Sequence, residues 1–286
     1  MTDRVVFQQH SRRFAGNRFV YPVVSRRSGG VSVGVNLNPD KVCNFDCVYC
    51  QVDRRSETDQ RFVEQPQLLD ELRDVLDLCR SGLLFQAAPF DELDGSWRHL
   101  NDIAFSGDGE PTTYGNFDEL MSLCAGVKRQ LALDDVKMVL ITNASMFHRP
   151  HVQAGLNVLD DNQGEIWAKL DAGTESYFQQ VDRTKIRYQQ VLDNLLWAAQ
   201  TRPIVIQSLF MRLDGQPPKD EEIDAYVRRL RHIVECGGAL RYVQVYTVAR
   251  RPAESFVTPL SDDEVDRITA RVRAAGIAAE PFYGVA

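Results

Sequence analysis

The chain has 286 residues, 44% of them hydrophobic, which is enough apolar material to bury the core of one α/β domain. Its formal net charge of −7 argues weakly against a surface that is adapted as a whole to polyanions. No apolar run approaches the roughly 20 residues that a membrane-spanning helix needs. Residues 1–13 are polar and carry arginine, unlike the apolar core of a signal peptide, so we expect a cytoplasmic protein.

Short apolar runs alternate with amphipathic segments along the chain, and this pattern predicts a parallel sheet with helices packed on it. Six β/α units predict an α/β fold of the incomplete (β/α)6 barrel type over residues 31–286, ending in a C-terminal helix and strand. Residues 1–30 are predicted to form an extension that packs on or beside the barrel. The predicted strands are 31–37, 102–105, 137–142, 166–170, 204–209 and 242–247. The predicted helices are 67–80, 117–131, a short one after Ser145, 175–180, 188–200, 221–234 and 262–275.

The predicted N-terminal extension is rich in arginine and in aromatic residues. Arginine binds phosphate and aromatic rings stack on bases, so this composition is compatible with a local nucleic-acid surface. The alternative is an arginine-rich edge that pairs with the acidic remainder of the chain. The residues concerned are Arg4, Arg12, Arg13, Arg18, Arg26 and Arg27, with Phe7, Phe14, Phe19 and Tyr21 between them.

The most informative motif follows the first predicted strand, where Cys43, Cys47 and Cys50 form a CxxxCxxC run. Three thiolates on one short loop can ligate three irons of a [4Fe–4S] cluster, which leaves the fourth iron open to a small molecule. A structural zinc site normally has a second CxxC or CxxH pair, and this sequence has none. Cys79 and Cys124 fall on the apolar faces of predicted helices, so we expect them in the core.

Polar and glycine residues follow or interrupt the other predicted strands. Because ligands bind at the carboxyl ends of parallel strands, we expect these residues to share one site. The alternatives are an ordinary turn for the glycines, helix capping for Asn143 and Ser145, and exposure on an edge strand for Gln207, Gln244 and Tyr246. The residues are Ser106, Gly107, Gly109, Glu110, Asn143, Ser145, Lys169, Asp171, Gln207 and Tyr246, followed by Arg250 and Arg251 as candidates for binding a substrate carboxylate or phosphate.

With these motifs the chain resembles the radical SAM superfamily over residues 31–282. The cysteine run, with the aromatic Tyr49 before its last cysteine, resembles that superfamily's signature. Residues 105–112 resemble its Gly-Gly-Glu motif, with Asp108 inserted between the glycines. Segments 105–112, 169–172 and 243–247 are most similar to the branch related to wyosine synthases, which modify a tRNA guanine. The chain departs from that branch because it has no cysteine before Cys43 for a second cluster.

The resemblance implies that the three cysteines of the run ligate a [4Fe–4S] cluster and that S-adenosylmethionine (SAM) binds beside it. It gives Tyr49 a backbone contact with adenine and Glu110 a contact with the methionine amine. Lys169 is then a cation for the methionine carboxylate. The full set of implied SAM-binding residues is Tyr49, Ser106, Gly107, Gly109, Glu110, Asn143, Ser145, Lys169, Asp171, Gln207 and Tyr246.

The implied reaction is the reductive cleavage of SAM to methionine and a 5′-deoxyadenosyl radical, which takes hydrogen from a substrate. The electron would come from a flavodoxin- or ferredoxin-type donor, and the branch implies a tRNA base as the substrate. Two alternatives remain open. One is a glycyl-radical enzyme activase that acts on a protein partner, and the other is a metal-binding module without SAM chemistry.

Overall fold

The structure, a computed structural model, describes residues 14–53, 58, 60–250, 252 and 254–284. The chain divides into two compact units. The first comprises Met1–Cys43, Ser56–Ile141 and His148–Glu165, and the second comprises Asn44–Arg55, Thr142–Phe147 and Ile166–Ala286. The division falls inside the cysteine motif, so that Cys43 belongs to the first unit and the other two cysteines to the second.

The first unit is built on four strands in the order of the chain. The first strand is antiparallel to the second, whereas the following pairs are parallel. The strands are β1 (Val20–Ser25), β2 (Gly30–Val35), β3 (Leu100–Phe105) and β4 (Lys137–Thr142). The helices are α1 (Gln65–Arg80), α2 (Phe117–Gln130) and α3 (Pro150–Asp160), with short 3-10 turns at Leu83–Gln86, Phe90–Glu92, Gly95–Trp97 and Pro111–Thr113.

The apolar faces predicted for the first two helices are the faces that they bury. Cys79 on α1 and Cys124 on α2 lie in the core, and burial raises the pKa of each thiol to about 12. The prediction that these two cysteines are structural is therefore confirmed. Their buried neighbours are Leu68, Leu72, Val75 and Leu76 on α1 and Phe117, Leu120 and Met121 on α2.

Strand β1 lies in the segment that was predicted to be an arginine-rich extension. It is held by the buried carboxylate of Glu71 on α1, which accepts hydrogen bonds from the backbone N–H groups of Arg18 (3.0 Å), Phe19 (2.8 Å) and Val20 (3.1 Å). Hydrogen bonds to an ionised acceptor are stronger than neutral ones. This one side chain therefore fixes where β1 begins.

The second unit has a parallel sheet in the order β5 (Gly164–Lys169), β6 (Ile204–Leu213), β7 (Leu240–Thr247) and β9 (Ala279–Phe282), where β5 begins with two residues of the first unit. The short β8 (Val257–Pro259) pairs antiparallel with the end of β6. The helices are α4 (Glu175–Asp182), α5 (Tyr188–Thr201), α6 (Asp220–Glu235) and α7 (Asp262–Ala274). Along the described ranges, no helix is both long and apolar enough to cross a membrane.

The six predicted strands correspond to β2–β7, and the predicted helices correspond to α1–α7. The predicted cap of α7 is present as a full capping box, since Ser261 and Glu264 each accept a hydrogen bond from the other's backbone N–H. Gly237, with a φ of 83°, follows α6 as expected. The helix expected after Ser145 begins only at Pro150. Strands β1 and β8 were not predicted.

Candidate functional site

The predicted site residues divide between the two units. The first unit contains Cys43, Ser106, Gly107, Gly109 and Glu110. The second contains Cys47, Tyr49, Cys50, Asn143, Ser145, Lys169, Asp171, Gln207, Tyr246 and Arg250. Arg251 lies outside the described residues.

In the first unit, the loops that follow β2 and β3 lie against each other because these neighbouring strands are parallel. The Asn36 side chain donates to the Asp108 carboxylate (2.8 Å) and its carbonyl accepts the Asp108 N–H (3.2 Å). Asp108 is the residue inserted into the glycine motif. The inserted Asp108 is therefore hydrogen-bonded to Asn36, and this pair joins the two loops.

Gly107 and Gly109 are required by the close approach of these same loops. A Cβ at Gly107 would lie 2.3 Å from the Asn36 Oδ1 atom, and one at Gly109 would lie 2.0 Å from the Val42 carbonyl oxygen. Neither glycine has a positive φ, so a turn conformation is not the reason for glycine at either position. The glycines are therefore required by packing between the two loops, and their contact with SAM stays a prediction.

Glu110 follows these glycines and is 3% exposed. Its Oε1 atom accepts hydrogen bonds from the hydroxyl (2.5 Å) and the N–H (3.2 Å) of Thr112, so the carboxylate caps the short Pro111–Thr113 turn. Ser106 continues β3 by donating its N–H to the carbonyl of Val35 (3.2 Å). The predicted amine-binding carboxylate is thus held in place before any ligand binds.

In the second unit, the loop that carries Cys47 and Cys50 is attached to the end of α4. The Asp46 N–H donates to the carbonyl of Asp182 (3.0 Å), and the Val48 N–H donates to that of Val181 (2.8 Å). The Cys47 thiol donates to the Asp182 Oδ1 atom at 3.3 Å. Sequence reasoning missed Asp182, since an acidic residue at the end of a helix carries no local signal of this contact.

The charges around Cys47 favour the protonated thiol. Burial raises the pKa of Cys47 well above its usual value, and the carboxyl groups of Asp182 and Asp171 raise it further, against a smaller lowering by Lys169. Burial also raises the pKa of Asp182, and Asp171 adds to that rise. A thiol must lose its proton to ligate a metal, so this proton has to leave when the site is loaded.

Tyr49 is joined to three other predicted SAM-binding residues. Its hydroxyl donates to the Asp171 Oδ2 atom and accepts from the Lys169 ammonium (3.0 Å), which also donates to the Tyr246 hydroxyl (3.2 Å). The Lys169 Nζ atom lies 4.7 Å from the centre of the Tyr49 ring, within the range of a cation–π contact. The other Asp171 oxygen accepts the N–H of Leu209 (2.7 Å). The structure therefore brings these four side chains together.

Lys169 is positively charged in this surrounding. Burial lowers its pKa, but Tyr246 and Asp171 outweigh that effect and raise the pKa above its usual value. Burial and the nearby Asp171 raise the pKa of Tyr49, so the phenol keeps its proton. The network thus contains an ammonium group and a protonated tyrosine at neutral pH.

Asn143 and Ser145 are connected to the cysteine loop through Asn44. The Asn143 side chain donates to the Asn44 Oδ1 atom (2.8 Å), and the Asn44 side chain donates to the Ser145 hydroxyl (2.7 Å). Neither residue caps α3, whose N-terminal flanking residue is Arg149. The helix-capping alternative is therefore wrong. Asn44, inside the CxxxCxxC run, is a site residue that the pattern did not single out.

Gln207 and Gln244 form a buried pair on β6 and β7. The Gln207 amide donates to the Gln244 carbonyl (2.9 Å), and the Gln244 amide donates to the Tyr242 hydroxyl (2.9 Å). Gln207 is 1% exposed and β6 lies between β5 and β7, so the edge-strand alternative is wrong for it. The backbone carbonyl of Arg250 accepts a hydrogen bond from the Gln51 side-chain amide (3.2 Å).

All six cysteines are free thiols, and those at 43, 47 and 50 are half-buried. Three thiols suit an iron–sulfur cluster in number and in type. Over the described ranges, no three His, Cys, Asp or Glu side chains are already arranged around a metal position. The donor set fits the cluster chemically.

No family model matches this chain. It is 24% identical over 252 residues to a protein of Brachyspira hyodysenteriae named GTPase Obg, which covers 86% of this chain and 32% of that protein. It is 29% identical over 163 residues to a UPF0026 protein of Helicobacter pylori, covering 57% of this chain and 45% of that protein. The chain thus spans about a third to a half of the length of these curated relatives.

Two solved structures share the fold of the chain. A radical SAM methyltransferase from Sphaerobacter thermophilus matches with a TM-score of 0.64 and 16% identity over 96% of this chain and 72% of that one. SuiB of Streptococcus suis, bound to SAM, matches with a TM-score of 0.54 and 11% identity over 90% of this chain and 49% of that one.

The chain therefore shares the α/β fold of these two solved structures, built on parallel strands. This confirms the predicted α/β fold class with a largely parallel sheet, while the membership of the superfamily and the enzymatic activity stay predictions. The assignment of individual site residues stays a prediction.

Replacing Gly109 by alanine tests the packing of the two loops of the first unit. Because the new Cβ would meet a backbone oxygen, we expect Gly109→Ala to lower the free energy of unfolding by about 1–3 kcal/mol in denaturant titration. Gly115→Ala is the matched control, since a Cβ there meets nothing within 4 Å. Equal denaturant midpoints for Gly109→Ala and Gly115→Ala would show that the loops after β2 and β3 do not approach this closely.

Proposed function

We propose that this chain is a radical SAM enzyme in which Cys43, Cys47 and Cys50 hold a [4Fe–4S] cluster. The cluster, when bound, supplies the electron that cleaves SAM to methionine and a 5′-deoxyadenosyl radical. The observation that carries the proposal is the attachment of the cysteine loop to a buried network of Tyr49 with Lys169. A loop that served only to bind a metal would not require a half-buried ammonium group beside it.

In this proposal, the residues of the second unit orient the loop and the cofactor. Tyr49 connects the loop to β5 through Asp171 and Lys169, so its backbone is fixed where adenine would lie. Lys169 supplies the positive charge for the methionine carboxylate. Asn143 and Ser145 hold Asn44 and therefore the start of the loop. In the first unit, Glu110, fixed by Thr112, offers a carboxylate to the methionine amine.

We propose a tRNA base as the substrate, on the similarity of the three segments to the wyosine-synthase-related branch. Of the N-terminal arginines, Arg18 is exposed and donates to the Gln60 side chain (2.7 Å). Phe19 and Tyr21 are buried in β1, at 0% and 3% exposure, so the suggestion that they stack on bases is wrong. Arg4, Arg12, Arg13 and Phe7 lie outside the described residues. The proposed electron donor is a flavodoxin or a ferredoxin.

GTP hydrolysis, which the name of the Brachyspira relative suggests, is not part of the proposal. A phosphate-binding P-loop has the pattern GxxxxGK[ST], and this sequence contains no Gly-Lys pair.

The proposed chemistry is tested by reconstituting the chain anaerobically with iron and sulfide, reducing it with dithionite and measuring 5′-deoxyadenosine. We expect the product from the wild type and none above background from Cys47→Ala, which lacks one of the three thiolates. Cys236→Ala, which removes an exposed thiol, is the matched control and should retain the activity. Zinc binding without a cluster, or product formation by Cys47→Ala, would contradict the proposal.

The role of Lys169 is tested by its replacement with methionine, which has similar length and no charge. We expect Lys169→Met to retain iron but to lose about tenfold or more in the rate of 5′-deoxyadenosine formation, because one charged contact of roughly 1.5–3 kcal/mol is removed. Lys185→Met, at an exposed position, should behave as the wild type. An unchanged rate in Lys169→Met would exclude Lys169 from cofactor binding.

The substrate class is tested by measuring 5′-deoxyadenosine formation with and without bulk tRNA. The tRNA is taken from a strain that lacks the gene for this chain. Stimulation of 5′-deoxyadenosine formation, with a new mass in a digested tRNA nucleoside, is the expected result. A protein partner that acquires a glycyl radical, with no response to tRNA, would instead support the activase alternative.

A further inference from the structure

Tyr177 on α4 has a buried hydroxyl beside the cysteine loop. Its side chain packs against a cluster of buried residues, and Cys47 and Tyr246 flank the same cluster. Within the part of the chain that the structure describes, the Tyr177 hydroxyl has no hydrogen-bond partner. The cluster consists of Val48, Tyr49, Val181, Leu209, Met211, Val248 and Val257.

The other tyrosines of this region have their hydroxyl groups satisfied. Tyr188 donates to the carbonyl of Ala172 at 2.6 Å, and the hydroxyl groups of Tyr226 and Ser208 are 2.6 Å apart. A buried hydroxyl without a partner costs free energy, and phenylalanine would fill the same apolar surrounding without that cost. Among the described residues, the Tyr177 hydroxyl is therefore a buried donor that a bound ligand can satisfy.

The carboxyl groups around Tyr177 bear on the charge of a ligand that could bind there. Burial raises the pKa of Tyr177, and the carboxyl groups of Glu222, Asp171 and Asp182 raise it further, so the phenol is a hydrogen-bond donor. Carboxyl groups favour a ligand that carries positive charge and disfavour a phosphate. SAM has a sulfonium and an ammonium group, together with ribose and carboxylate oxygens that accept hydrogen bonds.

We propose that the Tyr177 hydroxyl donates a hydrogen bond to an oxygen of bound SAM and that Tyr177 is therefore a cofactor-binding residue. The inference rests on the proposed function. No motif in the sequence marks Tyr177, because it lies outside the cysteine run and outside the segments 105–112, 169–172 and 243–247.

The test compares Tyr177→Phe with the wild type and with Tyr226→Phe in two measurements. The first is the dissociation constant of SAM from the reconstituted chain, measured by equilibrium dialysis under anaerobic conditions. The second is the denaturant midpoint of the whole chain without SAM. Tyr226→Phe is the matched control, since it removes a buried hydroxyl whose partner is Ser208.

We expect Tyr177→Phe to weaken SAM binding by roughly 3–10-fold, the value of one hydrogen bond, and to leave the denaturant midpoint equal to or above that of the wild type. Tyr226→Phe should lower the midpoint and leave the SAM affinity unchanged. These opposite effects would not arise if both tyrosines were only structural.

Three results would overturn the inference. An unchanged SAM affinity in Tyr177→Phe, with normal binding by the wild type, overturns the inference alone. A drop in the midpoint as large as that of Tyr226→Phe shows that the hydroxyl already has a partner in the folded chain. A failure of the reconstituted wild type to bind SAM overturns the proposed function and the inference with it.

Discussion

The hydrogen bonds of the Tyr49 hydroxyl are the interaction on which the second unit's site depends. They connect the loop of Cys47 and Cys50 to Asp171 and Lys169 at the end of β5. Each member of this network is buried or half-buried, so removing one leaves the others with unsatisfied polar groups. The network therefore fixes the backbone just before Cys50, and cofactor specificity in this account begins with that constraint.

In the first unit, hydrogen bonds between polar side chains also fix the loops, although the residues differ. There, Asn36 and Asp108 join the loops after β2 and β3, and two glycines allow the backbones to approach. In both units, polar groups at the carboxyl ends of parallel strands satisfy one another before a ligand is present. Such a preorganised site does not need to spend binding energy on ordering its own side chains.

The helices and most of the strands could be predicted from the sequence because they are encoded locally. The apolar face of α1 and the capping box at Ser261 each depend on residues a few positions apart. Strand β1 could not be predicted, since Pro22 and the nearby arginines are typical of a loop. Proline is accepted on an edge strand such as β1, and the acceptor that holds the start of the strand, Glu71, lies some fifty positions further along.

For the candidate site, the sequence identified the thiols, the glycines and Lys169, whose chemistry is visible in the residue type. It did not identify Asp182, Asn44 or Tyr177. Their importance comes from tertiary contacts with the cysteine loop or, for Tyr177, from the lack of a partner for a buried hydroxyl. Residues of this kind are ordinary in composition and become significant only through what surrounds them.

The most direct test of the central claim is electron paramagnetic resonance of the reduced, reconstituted chain before and after the addition of SAM. The account predicts the spectrum of a reduced [4Fe–4S] cluster whose signal changes when SAM is added, because a cluster with three cysteine ligands has one iron open to the cofactor. A cluster signal that SAM leaves unchanged, or the absence of such a signal, would contradict it.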